Sequence, residues 1–199
     1  MKTIKMDLSS ADTAVFFLIN RGFNNPVLDV FMKSLTAKGY LLVLPFALFM
    51  VLTASKTKNT GGKSYKTLAI WIVCISALAA VLTDWSGGNI KHLIARVRPC
   101  RALENVRILV GCTQSGSMPS NHAANSFAYA VPLFYLTRNF LPLGWRIYPL
   151  SLAALVAVSR VYLGVHYPTD VIAGSLWGAF IASVLTWAYL RASQRYAKP

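Results

Sequence analysis

The sequence predicts an all-α protein: a polytopic bundle of about five transmembrane helices preceded by interfacial amphipathic helices. Three observations lead there. Of 199 residues, 55% are hydrophobic and 13% charged, whereas soluble domains carry about 25% charged residues. The mean hydropathy is +0.49. The apolar residues are also gathered into runs close to the roughly 20 helical residues that cross a bilayer, with the charges mostly between the runs. The length suits one domain over 1–199, with 1–38 as interfacial helices and 39–191 as the transmembrane core.

The N-terminus, MKTIKMDLSSAD, lacks the basic start, apolar stretch and small-residue cleavage site of a signal peptide. Ala14 to Ile19 is too short to cross. Leu28, Phe31, Met32 and Leu35 recur at i, i+3, i+4 and i+7, the stripe of an amphipathic helix. Both segments are expected to lie in the interface or against the bundle. Five spans follow: Gly39 to Ser55, Thr67 to Trp85, His122 to Leu136, Arg146 to Leu163 and Thr169 to Leu190. The third and fourth are short in strictly apolar residues, so their ends are expected to face a protein interior. Pro45 and Pro132 fall inside spans, as kinks that neighbouring helices re-satisfy. SKTKNTGGKSY, 55–65, reads as a polar loop.

The net charge of +14 would suggest nucleic acid in a soluble protein. Here the basic residues sit between apolar segments, where lipid headgroups and topology account for them, and no nucleic-acid partner is expected. An odd number of spans puts the termini on opposite faces. The basic residues divide almost evenly between the faces, but setting aside Lys91, Arg98 and Arg160 as site residues favours the face of the 55–66 loop as cytoplasmic. The other face, holding the 86–121 loop, the 159–169 turn and all six acids, is then the outer, non-cytoplasmic face.

Three stretches share that outer face. In KHLIARVRP, Lys91 and Arg98 are seven residues apart, nearly two turns, and on one side of a helix continuing from the second span. Two aligned cations suit a multiply charged anion; taken alone they equally suit a basic helix beside headgroups. In MPSNHAANSF, Pro119 and Ser120 read as a helix start whose free N–H groups bind phosphate readily, with His122 in its first turn, packed or functional. In SRVYLGVHYPTD, Pro168 begins the last span, so His166 precedes it and Asp170 lies in its first turn. Asp170 there can hold one imidazole nitrogen and leave the other nucleophilic, with Arg160 nearby; Arg160 or Asp170 can instead be half of a structural ion pair. Together these groups form an anion site with a nucleophilic histidine, a second histidine for proton transfer and no surplus carboxylates for a divalent metal.

The three stretches, K-x6-R-P at Lys91 to Pro99, P-S-x-H at Pro119 to His122 and S-R-x5-H-x3-D at Ser159 to Asp170, resemble those of the type 2 phosphatidic acid phosphatase superfamily. The resemblance covers roughly Lys66 to Leu190. It implies that His166 attacks phosphorus, that Asp170 fixes its tautomer, and that His122 protonates the leaving oxygen and then activates water. Lys91, Arg98, Arg160, Ser120 and the N–H groups near Asn121 would hold the phosphoryl oxygens. No metal and no cofactor are implied; the partners are a lipid phosphate substrate and membrane lipids. The first substrate expected is undecaprenyl diphosphate, with phosphatidylglycerol phosphate, phosphatidic acid and lipid A 1-phosphate as others. A lipid phosphotransferase and a non-enzymatic anionic-lipid transporter or binder are the rival readings. Two departures stand out. Asn121 occupies a position usually held by glycine, tolerable even at positive φ, and five spans are expected here, without the first of the six that the resemblance implies.

Cys100 and Cys112 bracket the 98–114 loop, and Cys74 lies in the second span. In an oxidising periplasm the first two are placed to pair; in a reducing space they stay thiols.

Overall fold

The computed structural model describes residues 8–38, 40–59 and 64–196. The N-terminal residues 1–7, Gly39 at the start of the expected first span, and residues 60–63 of the polar loop lie outside the described residues. Among the described residues eight α-helices run in order: α1 Leu8–Phe17, α2 Pro26–Lys38, α3 Tyr40–Lys56, α4 Lys66–Ile94, α5 Pro99–Ala102, α6 Asn121–Leu136, α7 Leu143–Tyr162 and α8 Pro168–Tyr196, with a short π-helix at Leu18–Gly22 and a 3-10 turn at Thr137–Asn139. Among the described residues there is no strand, only an isolated bridge between Lys58 and Ser64. The fold is all-α, as the apolar runs require.

Among the described residues two stretches are long and apolar enough to cross a membrane, Lys66–Ala102 and Pro168–Ser193, with Val43–Lys56 a shorter apolar helix. α6 and α7 pay for their site residues in hydropathy: α6 is 16 residues long, and α7 carries Arg146 and Arg160 near its two ends. The outward face of α8 presents Ile172, Leu176, Phe180 and Val184 at four-residue spacing, each largely exposed. A contiguous apolar row of this kind is foreign to a soluble surface and suits acyl chains.

α6 is the central helix and packs against α4, α7 and α8. Its approach to α8 is set by Gly174 and Gly178, a small-residue pair one turn apart. A Cβ at Gly174 would lie 2.4 Å from the Ser120 carbonyl, and one at Gly178 1.9 Å from that of Ala124. Backbone contact this close leaves no room for any side chain, and it brings the start of α6 onto the start of α8. Farther from that junction Phe46, Met50, Ile72, Leu133 and Leu136 form a core across α3, α4 and α6.

The N-terminal helices pack against the bundle. Phe16 of α1 is fully buried with Val161, Tyr167 and Val171, and Met32 and Leu35 of α2 meet Leu152 and Val156 of α7. The buried amide of Asn20 donates to the carbonyls of Arg107 and Tyr162 at 2.9 and 2.8 Å, while Arg107 grips Asp29 through both carboxylate oxygens at 2.7 Å. Those bonds tie the N-terminal helices to the 103–110 loop.

α4 corrects one expectation. It runs nine residues past Trp85 but stops at Ile94, because Ala95 adopts a left-handed conformation (φ 50°) and returns its N–H to the Lys91 carbonyl. Lys91 and Arg98 therefore do not share a helix face. Pro99 forces Arg98 into extended backbone (φ −69°, ψ 149°), the conformation a residue before proline prefers.

Candidate active site

The chain ends of α4, α6, α7 and α8 converge on one mouth. Lys91, in the last turn of α4, is buried, and its ammonium donates to the carbonyls of Pro119 and Gly116. The turn at Ala95 folds Arg98 back towards the same place. Its Nε donates to the Ser115 carbonyl at 3.0 Å, and Nη1 to the Val165 carbonyl at 3.1 Å. The fork is thus fixed by backbone on two sides.

Arg98 Nη1 also lies 3.1 Å from Nε2 of His166. That histidine is 2% exposed and follows Gly164, whose φ of 84° permits the tight exit from α7. A Cβ at Gly164 would meet the Arg107 carbonyl at 2.4 Å, so the turn is closed to other residues on steric grounds as well. Nδ1 of His166 faces Asp170 Oδ2 at 3.6 Å and Ser117 Oγ at 3.5 Å. Burial above all pushes this imidazole down to about 4, with Arg98 and Lys91 acting in the same sense and Asp170 against it. Its neutral form therefore persists over the whole physiological range.

Asp170 is fully buried. Its Oδ2 accepts from Ser117 Oγ at 2.5 Å and from the Tyr167 N–H at 2.8 Å. Its Oδ1 accepts from Arg96 Nη1 at 2.7 Å. A first-turn carboxylate bonding back to the N–H that precedes the helix is the acidic half of a capping box, so Asp170 starts α8 as well as facing His166.

Arg160, in the last turn of α7, is 7% exposed, and its Nε has no partner; Ser120 Oγ at the start of α6 is likewise buried and unpartnered. A buried guanidinium without a carboxylate costs several kcal/mol unless an anion completes it. His122 projects from the first turn of α6, within the electrostatic reach of Arg160, Arg98 and Lys91. It opens onto a cavity of about 500 Å³ lined chiefly by apolar residues of α2, α3, α6 and α7, including Leu35, Phe46 and Leu152. Asn121 has no positive φ; it is the first helical residue of α6, and its side chain bonds Asp84.

The structure thus gathers Lys91, Arg98, Ser120, His122, Arg160, His166 and Asp170 at one place, and Asn121 at its edge. Sequence reasoning missed four residues. Arg96 sits between two carboxylates, 2.7 Å from Asp170 and 2.6 Å from Asp12 of α1, with its guanidinium 4.0 Å over the Tyr167 ring. Ser117 bonds Asp170, and Asp84 borders the cavity. Hints existed in Arg96, a cation inside the K-x6-R-P spacer, and in Asp84, an acid at the end of an apolar run. Cys100 and Cys112 form a disulfide, and Cys74 is free.

Fold and site together define a helical bundle with a cationic, two-histidine centre at its mouth, in which His166 is buried and His122 faces the cavity. The chain belongs to the PAP2 superfamily, whose family model matches residues 68–194. It is 28% identical over 179 residues to a lipid A 4'-phosphatase of Bacteroides thetaiotaomicron, covering 87% of this chain and 74% of that protein. It is 34% identical over 120 residues to an undecaprenyl-diphosphatase of Sulfolobus acidocaldarius, covering 60% and 54%. Among solved structures it is similar to Aquifex aeolicus LpxE, with a TM-score of 0.66, 26% identity, and 87% and 93% of the two chains covered. It also resembles a PAP2-type phosphatidylglycerolphosphate phosphatase from Bacillus subtilis, with a TM-score of 0.63, 25% identity, and 96% and 87% covered.

Proposed function

We propose that the protein is a membrane lipid phosphatase that hydrolyses a phosphate from a lipid headgroup through a phosphohistidine at His166. The observation that carries this reading is the set of buried donors lacking an anion, Arg160 Nε and Ser120 Oγ, beside Lys91, Arg98 and two histidines. The names borne by the relatives agree with the reaction class and divide between lipid A and prenyl diphosphate substrates.

The chemistry follows from the orientation of His166. Nδ1 is turned to Asp170, so Nε2 attacks phosphorus in line, and the bond from phosphorus to the leaving oxygen breaks as His122 protonates that oxygen. Lys91, Arg98, Arg160 and Ser120 hold the phosphoryl oxygens and stabilise the charge that gathers on them. Water, deprotonated by His122, then attacks phosphorus, the N–P bond breaks, and phosphate departs. The step uses no metal. In this reading the whole chain is one domain, α3, α4, α6, α7 and α8 cross the membrane, α1 and α2 lie at its interface, and the site faces the periplasm of a bacterial inner membrane.

Phosphate release from detergent-solubilised lipid phosphates, with and without EDTA, tests this. Release that persists in EDTA and yields free phosphate supports it. Loss of activity on chelation, or a new phosphodiester in place of free phosphate, replaces it with a metal-dependent or phosphotransferase mechanism.

A further inference from the structure

Outside the phosphate cradle the mouth holds one more charged group whose bonding is incomplete. Asp84 lies on the α4 face that also carries Gly87 and Lys91, three and seven residues on. The side-chain amides of Asn121 and Asn125, one turn apart on α6, both donate to its Oδ1, at 3.0 and 3.1 Å. Among the described residues no cation pairs with this carboxylate, and its Oδ2 accepts no hydrogen bond. Asp84 is exposed, and with both asparagines it lines the cavity on the wall that holds His122.

The position of that cavity matters. It opens on His122 and is not lined by His166. A substrate phosphorus held for attack by His166, with its leaving oxygen at His122, sends its departing portion into this space. Asp84, Asn121 and Asn125 are therefore the polar groups that the departing portion meets next.

A carboxylate on an apolar helix is expensive, and without a counter-ion it defaults to function. The neighbouring packing accommodates it. A Cβ at Gly87 would lie 2.9 Å from Asn121 Oδ1, so the absence of a side chain there gives the amide its place against α4. The amide oxygens of Asn121 and Asn125 are themselves buried without donors. Those oxygens are inaccessible from the cavity, so the acceptor that the rim presents is the Asp84 carboxylate, with its negative charge. Such a surface suits a departing group that brings O–H or N–H donors and no charge of its own. It repels one that retains an anionic phosphate.

We propose that Asp84, braced by Asn121 and Asn125, is a specificity-determining group that selects lipids whose phosphate is esterified to a hydroxyl-bearing, sugar-like headgroup over lipid diphosphates. The inference rests on the lipid phosphatase reading. It ranks the diphosphate expected from the sequence second.

The test compares kcat/KM of the full chain in detergent for three substrates: a phosphorylated glucosamine-disaccharide lipid, phosphatidic acid and undecaprenyl diphosphate. Their departing portions are respectively donor-rich, donor-free and anionic. The wild type is expected to favour the first. Asp84→Asn should lower that value by about tenfold or more, leave phosphatidic acid within about twofold, and raise the diphosphate, because a charged hydrogen bond is lost and a repulsion removed. Asn125→Ser, which keeps the carboxylate, should lower only the sugar lipid, by about threefold; if Asp84→Asn cannot be recovered folded, this variant decides by the same ratios. An equal fall on all three substrates would make the cluster a structural or general electrostatic element and overturn the proposal. So would a wild-type preference for the diphosphate. A wild type that releases phosphate from none of the three, in an assay where a known phosphatase does, removes the phosphatase reading itself and this inference with it.

Discussion

Two aspartates stand at the mouth of the bundle and are bonded in opposite ways. Asp170 has no exposed surface, and Ser117, the Tyr167 N–H and Arg96 occupy both of its oxygens. Asp84 receives two amides on one oxygen, forms no ion pair among the described residues, and turns to an open cavity. A carboxylate saturated by its own protein cannot move without orphaning several buried donors, so it holds geometry. One left half-satisfied at a cavity wall has capacity for donors from elsewhere. Changes on the Asp170 side should therefore affect every substrate alike, and changes on the Asp84 side should alter the choice among substrates.

The largest effect expected is that of His166→Ala, which removes the group proposed to bond phosphorus. Turnover should fall by about 10⁴-fold or more on all lipids, as when other covalent nucleophiles are deleted. Radiolabelled lipid mixed with the wild type and denatured in alkali, where phosphoramidates survive, should leave label on the polypeptide; the variant should carry none. Wild-type turnover by His166→Ala would dispose of the covalent mechanism. Asp170→Asn comes next, at about 10²- to 10⁴-fold in kcat, because it disturbs both the facing imidazole and the start of α8. A substrate-dependent loss would break the contrast between the two aspartates.

Arg96 offers a finer test. It touches no reacting atom in the proposed mechanism and acts through Asp170, so it is a positioning residue. Arg96→Gln is expected to lower kcat by about tenfold with little change in KM, and Arg96→Lys to recover part of the loss. The pH profile separates this from simple misfolding. With His166 held near 4, the acid limb of wild-type kcat/KM that reports protonation of the nucleophile should lie near 4 and not at the ordinary histidine value of about 6.5. Removing the Arg96 charge leaves Asp170 freer to stabilise an imidazolium, so the acid limb should move to higher pH. A limb that stays in place while activity falls would assign Arg96 a purely structural role.

How much of this was legible depended on which interactions are local in sequence. His166 and Asp170 lie four residues apart around Pro168, so their pairing across the start of α8 could be read directly. Ser120 and His122 were readable for the same reason, from the helix start that Pro119 announces. The alignment of Lys91 with Arg98 was not, because it assumed that α4 continues. Pro99 already barred helix at Arg98, and the actual stop at Ala95, a residue with no special preference for left-handed backbone, carries no local signal. Arg96 and Asp12 are separated by most of the N-terminal half of the chain, and their meeting requires α1 to dock first. Asp84 was legible as an acid in an apolar run but not as a partner of Asn121 and Asn125, which reach it only through the contact of α4 with α6.

The smallest effect expected concerns the disulfide, and it bears on whether the two sides of the mouth act separately. Cys100 follows Arg98 by two residues and Cys112 precedes Ser115 by three, so the bridge closes the loop joining Arg98 to the backbone carbonyls that fix it. A closure of this size restricts the unfolded chain by about 3 kcal/mol. In a protein of this length that corresponds to a thermal midpoint lowered by roughly 5–10 °C on reduction. Thiol titration of denatured, unreduced protein should find one free cysteine, Cys74. Below the midpoint, reduction should raise KM by about two- to fivefold as Arg98 loosens its hold on phosphate. The loop touches the phosphate cradle and not the Asp84 wall, so the ratio of kcat/KM between a sugar phosphate lipid and phosphatidic acid should not change. A shift in that ratio on reduction would mean that cradle and wall move together, and that the two carboxylates are parts of one mechanical unit.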